Sequence, residues 1–516
     1  MTRAFHMLLS MTVAVAAIGA LAQSNGRRVI PIPNQLFAQP VPAFVGSPAI
    51  PKVIRTTPVP QSPYLAPNGR SELHTDAYQS DTYLFAGPLG HDPQVTSTFL
   101  AAECGTVTFD SQGRIIAVCI GFVRPVVYLM DPVSLETLAT FNLPAQGGVS
   151  GNFGSGGYFI LDNLDRAVIP TRGRDIWRIK EAAQGTKFQL DHTCQNELPG
   201  MIPQDQAINS VVPDDHGLLW FTTSGGSDLT AEPAMVGTAS PDPDNDNSCT
   251  VKLYTLPAGE AIVKSFAVDP NPSRGGVFIV STYQMYRFDP AADGTPTVTW
   301  HEAYDRGTGI KPGQRYQGSG TTPTLVGTDL VTINDNADVQ THVVVYRRAA
   351  QISGSRLVCA VPVFQPGYSD SFNSLIATDK SISIENNWGN VDLTSTILGR
   401  TTKPGITRVD LSQDRNSCSA VWTNDEEHVP NIVSQVSLAT GLEYTYSKNP
   451  SPANARYTDP WYFTAVDFRT GKTVFRVLAG TGVFYNSNYS GLYLGPDGQT
   501  AYIGVAGGLV RIHDTY

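Results

Sequence analysis

Residues 331–346 read VTINDNADVQTHVVVY, two apolar, strand-like runs around a polar turn that holds Asn334, Asp335, Asn336 and Asp338. Carboxylate and amide oxygens at this density suit a hard cation such as calcium, which takes about six to eight oxygen ligands. A second group, Glu385, Asn386, Asn387 and Trp388, lies in IENNWGN, and a third, Asp425, Glu426 and His428, lies in NDEEHVPN. Asp335, Asp338, Glu385 and Asn386 are the candidate metal ligands, and Asn334, Asn336, Asn387, Trp388, Asp425 and Glu426 are candidate binding groups. His428, next to Glu426 and Glu427, is the candidate acid–base residue. Arg315, in YDRGTGIKPGQRYQGSGTTP, has the fork geometry to hold a substrate carboxylate. GTGVFYNSNYSG adds Tyr485, Asn486 and Tyr489. Each of these residues also has a purely structural use, because Asn and Asp side chains cap turns and tolerate left-handed backbone.

Other chemistries find less support. Asp242, Asp244 and Asp246 alternate in PDPDNDNSC as in part of a calcium loop, but the glycine that should follow is absent, and Leu253 stands where the closing glutamate belongs. His192, His301 and His342 are scattered, and no H-x-x-x-H or H-x-H pair offers a zinc site. There is no G-x-S-x-G elbow and no phosphate-binding glycine loop.

The elements that must position these residues show in a repeated pattern of strand, polar turn and strand. Its turns fall at Asp110, Asp162, Asp214, Asp269, Asp329, Asp379, Thr440 and Asp497, between 50 (Asp329 to Asp379) and 61 residues (Asp379 to Thr440) apart. Second hairpins such as VVYLMDPVSLETLATF and MYRFDPAADGTPTVTW follow several of them. Four short antiparallel strands per unit, repeated eight times, predict an all-β, eight-bladed β-propeller over residues 76–516. One blade cannot cover both its faces, so blades stack and the ring closes. The last unit lacks an outer strand, and TYLFAG, 82–87, is expected to supply it. In this topology the second-to-third-strand loops and the blade-to-blade connections share a face, so the three polar groups converge on one funnel.

The segment AVDFRTGKTVF, Ala465–Phe475, resembles the repeat of quinoprotein (PQQ-type) propellers, with Phe475 where those repeats usually carry Trp. QGSGTTPT, NDNAD and IENNWG resemble segments of secreted quinoprotein-like propellers. The resemblance spans roughly residues 100–516 and implies an eight-bladed ring, with PQQ as the associated cofactor. Those dehydrogenases often carry adjacent cysteines near the cofactor, and this chain has none; C-x-x-C-H is also absent, which excludes a covalent c-type haem.

Arg3 and the apolar stretch Met7–Ala22, ending in Ala20-Leu21-Ala22, predict a signal peptide over 1–22, followed by a Pro-rich extended segment over 23–75. The apolar stretch is shorter than the ~20 residues a spanning helix needs. Secretion or export to a periplasm suits the six cysteines. The Asp110–Gly113 turn sets Phe109 opposite Arg114, a register in which Cys104 faces Cys119; Cys194–Cys249 and Cys359–Cys418 are the further expected pairs. A net charge of −10 argues against nucleic acid or an anionic membrane as partner. The expected function is therefore that of an exported enzyme acting on a small organic substrate in an acidic funnel, with calcium and a quinone as candidate cofactors. The alternative is a non-catalytic scaffold that binds a glycan, peptide or partner protein.

Overall fold

Each polar turn of the first units is built on one aspartate. Asp110 Oδ1 accepts the amides of Gln112 and Arg114, Asp162 Oδ1 those of Leu164 and Arg166, and Asp214 Oδ1 those of His216 and Leu218. The second oxygen takes Arg114 Nε, Arg166 Nε or Trp220 Nε1. A side chain that replaces two backbone partners holds a tight turn without a further strand residue, which explains why Asp recurs there.

A computed structural model describes residues 29–121, 124–144, 157–451, 455 and 457–516. The expected signal segment, 1–22, lies outside the described residues. Eight antiparallel sheets form the ring. Blades 1 to 7 span 102–142, 160–193, 208–255, 267–303, 324–362, 376–424 and 435–481, and blade 8 joins 492–513 to Gln94–Phe99. In each blade's consecutive run of strands the first is the innermost; N-terminal strands are added inside and outside blade 7 and at the outer edge of blade 8. The described helical segments are of four residues or fewer, and none is long and apolar enough to cross a membrane.

The ring does close through an N-terminal strand, but not through TYLFAG. Gln94–Phe99 pairs antiparallel with Gly508–His513 at the outer edge of blade 8. Thr82–Tyr83 instead lies inside blade 7, parallel to Gln435–Ser437. Tyr83 is fully buried there, whereas QVTSTF presents the half-polar pattern of an edge strand. Blade 7 thus has six strands, because Phe44–Gly46 pairs with its outermost strand as well.

The described part of the Pro-rich segment is a strap. It runs from the edge of blade 8 (Ile32 N to Ser97 Oγ, 3.0 Å) along blade 7 (Gln35 N to Thr481 O, 3.0 Å) to the turn of blade 6 (Thr56 Oγ1 to Asp379 Oδ1, 2.8 Å). The chain then enters the axis. Residues 70–83 are almost wholly buried, and residues 65–83 bond to the innermost strands of seven blades. Asn68 Nδ2 reaches Phe109 O, Arg70 Nη1 reaches Leu494 O, and Leu161 N donates to Ser71 O. Val268, Leu325, Ala377 and Val436 donate their amides to the carbonyls of Ala77, Tyr78, Ser80 and Asp81. These contacts lie toward the first-to-second-strand turns, so the plug fills that end of the channel.

All three expected disulfides are present: Cys104–Cys119, Cys194–Cys249 and Cys359–Cys418. The register behind the first needs correction, since Phe109 faces Ile115 and not Arg114. A bulge between Cys104 and Thr106 absorbs the offset of one residue and restores Cys104 opposite Cys119.

Candidate functional site

The residues that enter each innermost strand surround the axis above the plug. They include Tyr158 before blade 2, Lys264 before blade 4, Thr322 before blade 5, Phe372 before blade 6 and Tyr489 before blade 8, with Glu103 in the first strand of blade 1. Lys264 Nζ lies 4.4 Å from the centroid of the Tyr489 ring, and the Phe372 ring backs Tyr489 at 5.6 Å. Tyr489 Oη is 3.4 Å from the Gly313 carbonyl. Gly313 has φ +99°, and a Cβ there would strike Asn390 O, so glycine is what brings this carbonyl in.

Lys264 is half-buried, and among the described residues no carboxylate pairs with it; burial alone lowers its pKa to about 7. Arg172 and Arg315 are close enough that Arg315 depresses the pKa of Arg172, after burial. Lys311 Nζ is buried and has no hydrogen-bond partner among the described residues. Burial pushes Asp370 up to about 7, with Lys311 opposing, and Gln314 Nε2 holds its Oδ1 at 2.8 Å. Glu103, bonded to Ser490 Oγ at 3.1 Å, is pushed well above the carboxylate range by burial. The acids of this floor therefore carry less charge than their number suggests.

Beneath the floor a hydrogen-bonded chain runs into the plug. It starts at Thr322, whose Oγ1 is 3.3 Å from His74 Nε2, and the Tyr158 ring lies 5.9 Å from that of His74. His74 Nδ1 lies 3.2 Å from both Asp81 oxygens and 2.9 Å from Ser374 Oγ. Gln435 Nε2 and Ser374 Oγ complete the partners of Asp81. His74 and Asp81 are buried, with half-buried Tyr158 beside them.

The expected loops do share one face, but their side chains serve mostly to join loops. Asp335 accepts His342 N at 2.7 Å, His342 Nδ1 at 2.8 Å and Thr341 Oγ1 at 3.2 Å. Asp338 accepts Thr308 N, Asn334 bonds Thr341 and Ser371 O, and Asn336 Nδ2 holds Arg306 O and Gly309 O. Glu385 is buried between Asn373 Nδ2 and Ser434 Oγ, and burial raises its pKa to about 8. Asn386 bonds Tyr368 O and Pro404 O, and Asn387 bonds Phe372 N and Val429 O. Among the described residues, the His, Cys, Asp and Glu groups with three ligand atoms within 4.8 Å of one another are His192–Cys194–Cys249 and Asp214–Asp215–His216. Asp335, Asp338 and Glu385 form no such group.

His428 Nδ1 donates to Thr402 O at 2.6 Å, and burial lowers its pKa. Asp425 and Glu426 are exposed; their neighbour Glu427 is buried against Arg476 and Thr473. Tyr485 is buried, with its hydroxyl on Ile32 O of the strap, and Asn486 bonds Thr396 Oγ1. Trp388 is half-buried beside Tyr368, and Arg315 is exposed with its guanidinium 5.0 Å from the Tyr316 ring centroid. Tyr489 thus belongs to the axial site, and Arg315 is exposed on the loop that brings Gly313 O to it. Lys264, Tyr158, Phe372, Glu103 and the His74–Asp81 pair are additions. Their signal in the sequence is positional: except for the plug residues and Glu103, they sit two to four places before an innermost strand.

No family model and no curated protein matches the chain. Solved structures similar to it include BamB from Moraxella catarrhalis, 10% identical, covering 79% of this chain and 95% of that one with a TM-score of 0.47. Sqt1 from Saccharomyces cerevisiae is 9% identical, covering 84% and 97%, with a TM-score of 0.47. The Dos1 propeller is 10% identical, covering 83% and 95%, with a TM-score of 0.48. At these identities and TM-scores the likenesses carry no argument, and the propeller fold is read from the chain's own sheets.

Proposed function

We propose that this chain is an exported propeller enzyme whose blind axial funnel takes a small organic substrate carrying an anionic group. The observation that supports this reading most is Lys264, an amine at the axis against Tyr489 with no carboxylate partner among the described residues. Arg315 and Lys311 add positive charge on the same face, and Phe372 and Tyr158 supply apolar walls. The plug lies behind the substrate, and the Thr322–His74–Asp81 chain beneath the site gives a proton somewhere to go.

The resemblance to quinoprotein propellers suggests one member of this ligand class. PQQ is a carboxylated aromatic quinone, and the rings of Tyr489 and Phe372 with Lys264 and Arg315 have the chemistry to hold such a group. When bound, a quinone supplies oxidising equivalents; this chain's residues would orient its carboxylates and move a proton at Thr322 Oγ1. The test is a thermal-shift and calorimetric screen of small mono-, di- and tricarboxylates against the purified protein. At least one should raise the melting midpoint, with affinity at least about tenfold weaker in Lys264→Ala, the scale of one charge-assisted contact. If no carboxylate binds the parent, the reading is wrong.

The scaffold reading has its own observation. Ile310, Val339, Tyr368, Val391 and Leu398 are between 42% and 68% exposed on the loops around the same face. Val339 and Tyr368 are brought close by the bond from Gly367 N to Val339 O. An apolar rim of this kind marks interaction surfaces. On that reading Val339→Glu and Val391→Glu, and not Lys264→Ala, abolish association with a partner.

A further inference from the structure

Resting on the reading of the funnel as a ligand site, we propose that Lys264 is a nucleophile that forms an imine with the carbonyl carbon of a small oxo acid. Three geometric facts carry this. The side chain enters the axis from the connection into blade 4, and its amine lies on the face of Tyr489. It takes part in no ion pair with the described acids, which distinguishes it from Lys448, paired with Asp459 at 3.0 Å, and Lys180, paired with Asp191 at 2.6 Å. The residue as a whole is also half-buried, unlike the fully buried Lys448. Burial supports the same role by holding the ammonium down to a pKa of about 7, leaving much of the amine neutral near neutrality.

The step balances with water as the only by-product. The neutral Nζ lone pair attacks the carbonyl carbon, a C–N bond forms, and the carbonyl oxygen takes up a proton to give a carbinolamine. Expulsion of that oxygen as water leaves a protonated imine. Water that the ligand brings into the funnel exchanges these protons. On this reading the substrate's carboxylate turns toward Arg315, exposed on the loop whose Gly313 carbonyl meets Tyr489. An aldehyde or ketone bearing a carboxylate thus satisfies both the amine and the charge.

The test is reductive trapping on the full-length mature protein with glyoxylate and sodium cyanoborohydride, followed by peptide mapping. Lys264 should be modified at least about tenfold faster than surface lysines, whose amines are almost wholly protonated at neutral pH. Lys264→Arg should lose the fast modification while slow labelling elsewhere continues. Uniform labelling across lysines, or fast labelling that survives Lys264→Arg, overturns the proposal. Succinate, which has carboxylates but no carbonyl, separates the two readings. If succinate binds in the funnel and Lys264 is still not trapped, imine formation is wrong and the anion site stands. If neither occurs, both fall. The parent protein's own peptide map decides the matter even if the variant folds poorly.

Discussion

Glu385 shows how far a side chain's role depends on what surrounds it. In the sequence it is a carboxylate among amides; in the fold it is buried, with a pKa raised to about 8 against an ordinary 4.5. The folded state therefore holds a proton that the unfolded chain releases. Its contribution is fully present below about pH 4.5 and is lost as pH rises toward 8. Burial gives Glu443 and Asp370, each pushed to about 7, the same sign. Glu385→Gln should consequently lose less stability than the parent between about pH 5 and about pH 9, by more than about 1 kcal/mol in urea titrations. An identical decline in both proteins counts against a protonated Glu385. Burial raises Asp335 as well, but there the carboxylate is held by its own loop. Asp335→Ala should cost about 1–3 kcal/mol through the freed His342 amide and imidazole. Its calcium content, measured by elemental analysis after dialysis, should equal that of the parent; stoichiometric calcium lost in the variant would return Asp335 to the metal ligands.

At the scale of elements, the disulfides sort by what they join. Cys104–Cys119 links adjacent strands of blade 1 across 15 residues, where the sheet already holds them together. Cys359–Cys418 links the outermost strands of blades 5 and 6 across 59 residues, where no backbone ladder exists. The chain-entropy model assigns about 3 kcal/mol to a loop of the first size and about 4 kcal/mol to the second. Replacing Cys359 and Cys418 by serine should therefore lower the melting midpoint more than replacing Cys104 and Cys119. The reverse order would mean that the tightly packed sulfurs of blade 1 matter more than the loop they close. Three such bonds fit an oxidising compartment.

On the scale of the whole molecule, residues 65–83 act as an internal hub. A ring of blades stabilised only by its neighbours can open at any seam, whereas a segment bonded to seven inner strands couples them. Arg70 alone joins blades 8 and 1, through its Nη1 to Leu494 O and its carbonyl to Thr108 Oγ1, with its guanidinium 4.0 Å from the Phe85 ring centroid. Arg70→Ala should destabilise the protein by about 2–4 kcal/mol and make unfolding less cooperative, read as a lower denaturant slope. Deletion of residues 29–83 should prevent native folding by near-ultraviolet circular dichroism. A well-folded deletion variant would show that the ring stands without its hub.

The fold was legible because strand alternation and the Asp turn are local: Asp110, Asp162 and Asp214 mark their turns by hydrogen bonds to amides two and four residues on. The same locality let the sequence identify the loops that share a face, and the cysteine pairs with them. It could not tell Gln94–Phe99 from TYLFAG as the closing strand, because both are extended and only burial of Tyr83 at the axis separates them. Nor could it distinguish Asp335 as a loop staple from Asp335 as a ligand, since both uses need the same oxygens. Lys264 passed unnoticed because nothing within a few residues marks it. Its partner Tyr489 is 225 residues away, and its loss of charge comes from burial, a property that exists only once eight blades converge on one axis.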